Sequence, residues 1–206
     1  MSNQKDEDAE EGIKVILVGE AGTGKTSLIN TAVGKKFVEG TQISSMTCSF
    51  VKLTKVLDDT EYTINLWDTI GQERFRSLTK VFFKNSEIVI FVFDITSKAS
   101  FDSLEFWYDT VEKEIGSEPI KGLAANKQDL FEKQEVEDDD IKKYARDKGI
   151  VFEYTTATTP HDFDKLLTQL LKQYIKKWAE IDKKKVIGKK LVKEKVGEKK
   201  KKKKFC

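Results

Sequence analysis

The sequence has few of the residues from which several kinds of functional site are built. It contains two cysteines in 206 residues, Cys48 and Cys206, so a disulfide framework is not expected. Its one histidine, His161, has no cysteine or second histidine close to it in the sequence, which argues against a metal site of these residues. No run of eighteen apolar residues occurs, and the sequence therefore predicts no transmembrane helix.

The two ends of the chain differ strongly in charge. Residues 1–11 form an acidic leader that is neither a signal peptide nor a transit peptide, so we expect a cytoplasmic protein. Residues 183–206 hold thirteen lysines against two glutamates, about +11 by count, and because the whole chain carries +2, residues 1–182 carry about −9. This asymmetry predicts that the basic tail binds to an anionic surface, either a membrane or a nucleic acid. Phe205 is its only aromatic residue, so base stacking is nearly absent and no nucleic acid is expected.

The stretch GEAGTGKTS, residues 19–27, lies between a predicted strand, residues 13–18, and a predicted helix, residues 25–33. It fits the phosphate-binding pattern G-x-x-x-x-G-K-[ST] in its strand–loop–helix context. Glycines let backbone N–H groups approach phosphate oxygens, the Lys25 ammonium would neutralise the β- and γ-phosphates, and the Thr26 hydroxyl would bind Mg²⁺. The residues predicted to bind phosphate are Gly19, Glu20, Ala21, Gly22, Thr23, Gly24, Lys25, Thr26 and Ser27.

Three later stretches predict that this nucleotide is GTP. In LWDTIGQE, Asp68 would hold Mg²⁺ through water, a backbone N–H of Gly71 would face the γ-phosphate, and Gln72 would orient the attacking water. In AANKQDL, which follows a predicted buried strand, Asp129 would accept N–H bonds from guanine N1 and N2. Adenine lacks that donor pair, so a carboxylate buried against it would be left unpaired at a cost.

Five further residues complete the predicted guanine site. Asn126 and Lys127 belong to the same motif as Asp129. The stretch TTATT follows the last predicted strand and would supply the backbone N–H of Ala157 to guanine O6, with Thr156 and Thr158 on either side.

Predicted strands alternate with predicted helices, which is typical of a parallel sheet covered on both faces. The strands are expected at 13–18, 48–57, 61–68, 87–95, 122–126 and 151–155, with a hairpin turn around 58–60, and residues 34–46 are expected to form a loop. Helices are expected at 25–33, 100–115, 137–149 and from about 159 onward. The expected organisation is a disordered leader over 1–11, a domain over 12–181 and a disordered tail over 182–206.

Over about residues 12–178 the chain resembles the Rab branch of the Ras superfamily of small GTPases. The stretches that carry this resemblance are QERFRSLT and FVFDITSKASFDSLEFW. It implies the α/β fold of P-loop small GTPases, a six-stranded mostly parallel sheet with five helices, and a switch between GTP and GDP forms that regulates vesicle trafficking. It also implies an exchange factor, a GTPase-activating protein, a GDP-dissociation inhibitor or escort protein, effectors on switches I and II, a monomer, and reversible attachment to the cytosolic face of a membrane through a prenylated cysteine.

The chain departs from that pattern in several places. In switch I the best match is SMTCSF, which puts Ser45 on Mg²⁺ and the γ-phosphate. An ungapped count from Phe37 selects Ser44 instead, and Thr47 is a third alternative.

Other departures lie outside switch I. Ile70 stands where the family has alanine, and Thr158 where a lysine is usual. Cys206 is a lone terminal cysteine, which leaves open prenylation or an unmodified tail.

Only three arginines occur, and none lies in residues 34–46, so we expect slow hydrolysis that depends on an activating protein. Two alternatives stay open at this stage. One is a GTP-binding switch with little hydrolysis, and the other is a Ras- or Rho-like signalling GTPase unconnected with vesicles.

Overall fold

The computed structural model describes the backbone of residues 12–37, 49–68 and 82–202, and the side chains of residues 12–37, 50–68 and 82–181. The strands are β1 Ile13–Val18, β2 Ser49–Leu57, β3 Thr60–Asp68, β4 Ile88–Asp94, β5 Ile120–Asn126 and β6 Val151–Thr155. The helices are α1 Lys25–Ala32, α2 Lys98–Asp102, α3 Leu104–Ile115, a 3₁₀ helix Gln128–Lys133, α4 Asp138–Lys148 and α5 His161–Lys202.

The six strands form one sheet in the order β2-β3-β1-β4-β5-β6. All neighbouring pairs are parallel except β2 with β3, which are joined by a tight hairpin. Asp58 and Asp59 form its turn with φ values of 49° and 59°, as a two-residue turn between twisted strands requires. The predicted fold class is confirmed: a six-stranded mostly parallel sheet with five α-helices among the described residues.

The core forms because the central strands are apolar on both faces. All seven residues of β4 are buried, which matches a parallel strand covered on both sides. Helix α3 adds Trp107 and Val111 to the cluster that contains Phe91 and Phe93. Burying one such large side chain stabilises the fold by about 1.5–3 kcal/mol. The carboxyl ends of β1, β3 and β5 lie along one edge of the sheet, and these strands are part of the core. That edge is therefore a rigid base for a site.

The segment predicted as one helix over 100–115 is two helices, α2 and α3. The Ser103 hydroxyl donates to the carbonyl oxygen of Ala99 at 2.7 Å, a contact of the kind that bends helices, and the Ser103 N–H donates to the same oxygen at 3.1 Å. The 3₁₀ helix Gln128–Lys133 was not predicted either, and it follows Lys127, whose φ is 66°.

The chain divides after Leu170 into two compact units. The second unit holds most of α5, in which the rings of Tyr174 and Trp178 lie 6.1 Å apart in an edge-to-face arrangement. The helical backbone continues to Lys202, past the start of the tail at residue 182, and the disorder expected of that tail stays a prediction. Lysine is a good helix former, and this segment contains no proline. The domain limits of 12–181 remain a prediction. Within the described ranges, none of the helices combines the length and the hydropathy that crossing a bilayer requires.

Candidate functional site

The loop that joins β1 to α1 packs so closely that two of its residues must be glycine. Gly19 has a φ of 154°, and a Cβ atom there would lie 2.0 Å from the carbonyl oxygen of Val92 in β4. Gly24 has a φ of 94°, and its Cβ atom would lie 2.3 Å from Nδ2 of Asn126. The backbone can therefore follow this path only without side chains at these two positions.

Lys25 lies inside the curve of this loop. Its side chain is almost fully buried, and Nζ donates to the carbonyl oxygens of Gly19 at 2.9 Å and Glu20 at 2.7 Å. Burial lowers the pKa of Lys25 to about 8, while the carboxylates of Asp68 and Glu20 act in the opposite direction. Because α1 begins at Lys25, the positive end of its dipole lies at the same place. A buried cation beside a helix N-terminus is suited to bind a phosphate group.

Thr26 and Asp68, both predicted to hold Mg²⁺, meet across 42 residues of sequence. The Thr26 hydroxyl donates to Oδ2 of Asp68 at 2.8 Å, and Asp68 is buried at the end of β3. A hydroxyl oxygen and a carboxylate oxygen are ligands that Mg²⁺ prefers. The donor set present here therefore fits the predicted ion.

The Glu20 side chain makes a contact that the sequence analysis missed. Its Oε1 accepts a hydrogen bond from Nε1 of Trp107 at 3.1 Å, although 87 residues separate the two. Trp107 is a core residue of α3, exposed by only 2%. The phosphate-binding loop is thereby anchored to a buried indole, and no local sequence pattern signals a contact over that separation.

The change of Trp107 to phenylalanine is expected to weaken this anchor, because an aromatic ring is kept while the indole N–H is lost. The cost of the smaller ring in the core is removed by comparing it with and without Glu20. In a double-mutant cycle with Glu20→Ala, urea unfolding should give a coupling free energy of about 1 kcal/mol, the value of a partly solvated hydrogen bond to a charged group. Additive effects of the two changes would show that the contact contributes nothing to the loop.

The predicted guanine motif is held by buried side chains. Asn126 donates from Nδ2 to the carbonyl oxygen of Thr23 at 2.7 Å and accepts from the Thr155 hydroxyl at 3.1 Å. Its amide thus links the phosphate-binding loop to the ends of β5 and β6. Lys127 forms an ion pair with Asp94, with 2.6 Å between Nζ and Oδ2. These contacts fix the backbone from which the next residues project.

Asp129 is exposed, and one of its carboxylate oxygens accepts a hydrogen bond from the Thr156 hydroxyl at 2.5 Å. Thr158 follows on the same turn and contacts Thr156 through both its hydroxyl and its N–H. The carbonyl oxygen of Ala157 accepts from the Thr31 hydroxyl at 2.8 Å, which holds this turn against α1. The carboxylate and the turn predicted to read guanine therefore lie together.

A cleft of about 410 Å³ opens beside Thr158, between the end of α1 and the start of α5. Phe37 lies in its wall and is 37% exposed. Sequence analysis assigned no role to Phe37. An exposed ring next to the predicted base site provides an apolar surface for a purine.

The structure places the whole predicted phosphate-binding loop, Asp68 and the predicted guanine-reading residues around one edge of the sheet. The other predicted site residues lie outside the described residues. They are Ser45 with its alternatives Ser44 and Thr47, Gly71, Gln72 and Cys206.

Comparisons with known proteins agree with this geometry. Residues 14–176 match the Ras family. "Ras-related protein Rab-26" of Bos taurus is 34% identical over 160 residues, which are 78% of this chain but only 62% of that relative. "Ras-related protein Rab5A" of Oryza sativa subsp. japonica is 33% identical over 162 residues, 79% of each chain. "Putative ras-related protein Rab-5B" of Dictyostelium discoideum is 32% identical over 170 residues, 82% of this chain and 78% of the relative.

Proposed function

Because this chain belongs to the Ras family, as a small GTPase of the Rab type, we propose that it hydrolyses GTP to GDP and regulates vesicle trafficking at membranes. One observation carries the biochemical part of the proposal. Gly19 follows β1, Asp68 ends β3 and Asn126 ends β5. Since these strands are parallel, a phosphate-binding loop, a pair of oxygen ligands and a base-reading motif meet at one edge of the sheet.

The residues of the phosphate site have distinct parts in the proposed reaction. Lys25 and the backbone N–H groups of the loop bind the β- and γ-phosphates. Thr26, Asp68 and Ser45 would hold Mg²⁺, which supplies charge neutralisation between those phosphates when it is bound. Gly71 would contact the γ-phosphate, and Gln72 would orient the attacking water.

The proposed hydrolysis is slow without a partner. No arginine occurs in residues 34–46, so none is supplied there by the chain itself to neutralise the charge that develops on the phosphates. An activating protein that inserts its own arginine would accelerate the reaction by about 10³–10⁵-fold. Switch loops ordered by the γ-phosphate would recruit effectors, and an exchange factor would restart the cycle.

The lysine-rich tail supports the proposed membrane attachment. A single lipid chain on Cys206 would hold the protein only marginally, and each lysine near an anionic leaflet adds about 1 kcal/mol. A prenylated Cys206 and the thirteen lysines of residues 183–206 together provide the two signals that stable attachment to the cytosolic face requires. A GDP-dissociation inhibitor or escort protein would make the attachment reversible.

The test is made on one purified sample. Bound nucleotide is eluted and identified, and GTP loss is then followed in a single turnover for the wild type and for Gln72→Leu. We expect guanine nucleotide to co-purify and the wild type to hydrolyse GTP faster than the variant. Absence of any guanine nucleotide binding would overturn the proposal at its base.

The departures from the family pattern at Ser45, Ile70 and Thr158 favour a second candidate, a GTP-binding switch that barely hydrolyses. Its signature would be bound guanine nucleotide with equal, near-zero single-turnover rates for the wild type and Gln72→Leu. Multiple turnover in the presence of an exchange factor and an activating protein would exclude it.

A further inference from the structure

Resting on the guanine site proposed above, we propose that Thr158 is a positioning residue for base recognition in this chain. Its hydroxyl and its backbone N–H orient the hydroxyl of Thr156, and Thr156 in turn fixes the carboxylate of Asp129. Thr158 stands where the family resemblance leads one to expect a lysine. This arrangement of three side chains is therefore a feature of this sequence and not one that the resemblance implies.

The direction of each hydrogen bond follows from the number of protons available. The Thr156 hydroxyl has one proton, and it is donated to Oδ1 of Asp129, which as a carboxylate can only accept. The two threonine hydroxyl oxygens lie 2.9 Å apart, so the proton between them must come from Thr158. The N–H of Thr158 also donates to Oγ1 of Thr156, at 3.1 Å. Thr156 thus accepts two bonds from Thr158 and donates one to Asp129.

In a series of linked hydrogen bonds of this kind, the earlier bonds strengthen the last one. A hydroxyl that accepts two hydrogen bonds is a better donor, so the bond from Thr156 to Asp129 is reinforced by Thr158. Thr156 is 7% exposed and cannot turn to water for a replacement partner, whereas Asp129 is exposed. Thr156 is therefore held rigidly, and its hydrogen bond limits the rotation of the exposed Asp129 carboxylate.

The expected consequence lies in specificity more than in stability. Two parallel bonds to guanine N1 and N2 need a carboxylate in one orientation, whereas a base without the 2-amino group needs only one of them. A carboxylate that rotates freely can still accept one bond, from N1, but it less often has both oxygens placed to accept from N1 and the 2-amino group together. Loss of the Thr158 hydroxyl should thus reduce the preference for guanine over hypoxanthine.

The experiment compares GDP with inosine diphosphate, which lacks the 2-amino group. Affinities of both nucleotides are measured for the wild type, Thr158→Val, Thr158→Ser and Thr159→Val. Valine keeps the shape and removes the hydroxyl, serine keeps the hydroxyl, and Thr159 is the exposed neighbour in the same TTATT stretch. We expect Thr158→Val to reduce the ratio of the two affinities about three- to tenfold, the value of one hydrogen bond. Serine and the Thr159 control should keep the wild-type ratio.

An unchanged ratio in Thr158→Val, or an equal loss in Thr158→Ser, would overturn the inference, because the hydroxyl would then not be the cause. Either result leaves the proposed function intact as long as the wild type prefers GDP. A wild type that fails to bind GDP would instead reject the guanine site itself, and with it the premise of this inference.

Discussion

Replacement of Asp129 by asparagine is expected to change the preferred base from guanine to xanthine. The carboxylate would accept from guanine N1 and N2, and each such bond to a charged group contributes about 1.5–3 kcal/mol. An asparagine keeps one acceptor but presents an amide N–H₂ to the guanine 2-amino group, so donor faces donor. We therefore expect GDP affinity to fall by about 10²–10⁴-fold.

The same substitution should improve the binding of xanthosine diphosphate, whose carbonyl oxygen at C2 can accept from the new amide. Competition of the two diphosphates for the wild type and the variant measures both changes. Asp139→Asn is the matched control, because Asp139 lies on α4 with a fully exposed side chain. A variant that loses both nucleotides equally would mean that Asp129 supports the fold of the loop instead of reading the base.

Replacement of Gly19 by alanine is expected to destabilise the protein by about 3 kcal/mol or more. The new Cβ atom would lie 2.0 Å from the carbonyl oxygen of Val92, and the φ of 154° is one that other residues rarely adopt. The oxygen cannot move aside cheaply, because Val92 lies in β4 and pairs with Ala124 of β5. A change of this size is a large fraction of the 5–15 kcal/mol that typically stabilises a domain.

Urea unfolding of Gly19→Ala and Gly34→Ala separates the clash from the strain of a positive φ. Gly34 has a φ of 80°, but nothing lies within 4 Å of a Cβ atom there, so only about 1 kcal/mol is expected. Equal losses in the two variants would show that the approach of the loop to β4 is not tight. We also expect Gly19→Ala to bind nucleotide poorly, since the Gly19 carbonyl oxygen holds Lys25.

Local chemistry was sufficient to predict most of the elements. The apolar run ended by Gly19 gave β1 with its observed bounds, and Asp58-Asp59 marked the hairpin turn. Gly149, with a φ of 64°, ends α4 as a glycine after a helix is expected to. The interruption at Ser103 was missed because neither a glycine nor a proline stands there to mark the end of a helix.

The phosphate-binding pattern and the guanine motif could be identified from the sequence itself. Each is a short segment in which the local backbone requires particular residue types at fixed spacing. Tertiary structure alone decided which of their side chains support one another. Trp107 reaches Glu20 across 87 residues, and Thr156 reaches Asp129 across 27. Such contacts depend on how α3 and the carboxyl ends of β5 and β6 lie beside the loop. A pattern along the chain carries no information about distances between elements. The physical reason is that hydrogen bonds act over about 3 Å in space, whatever the separation in sequence.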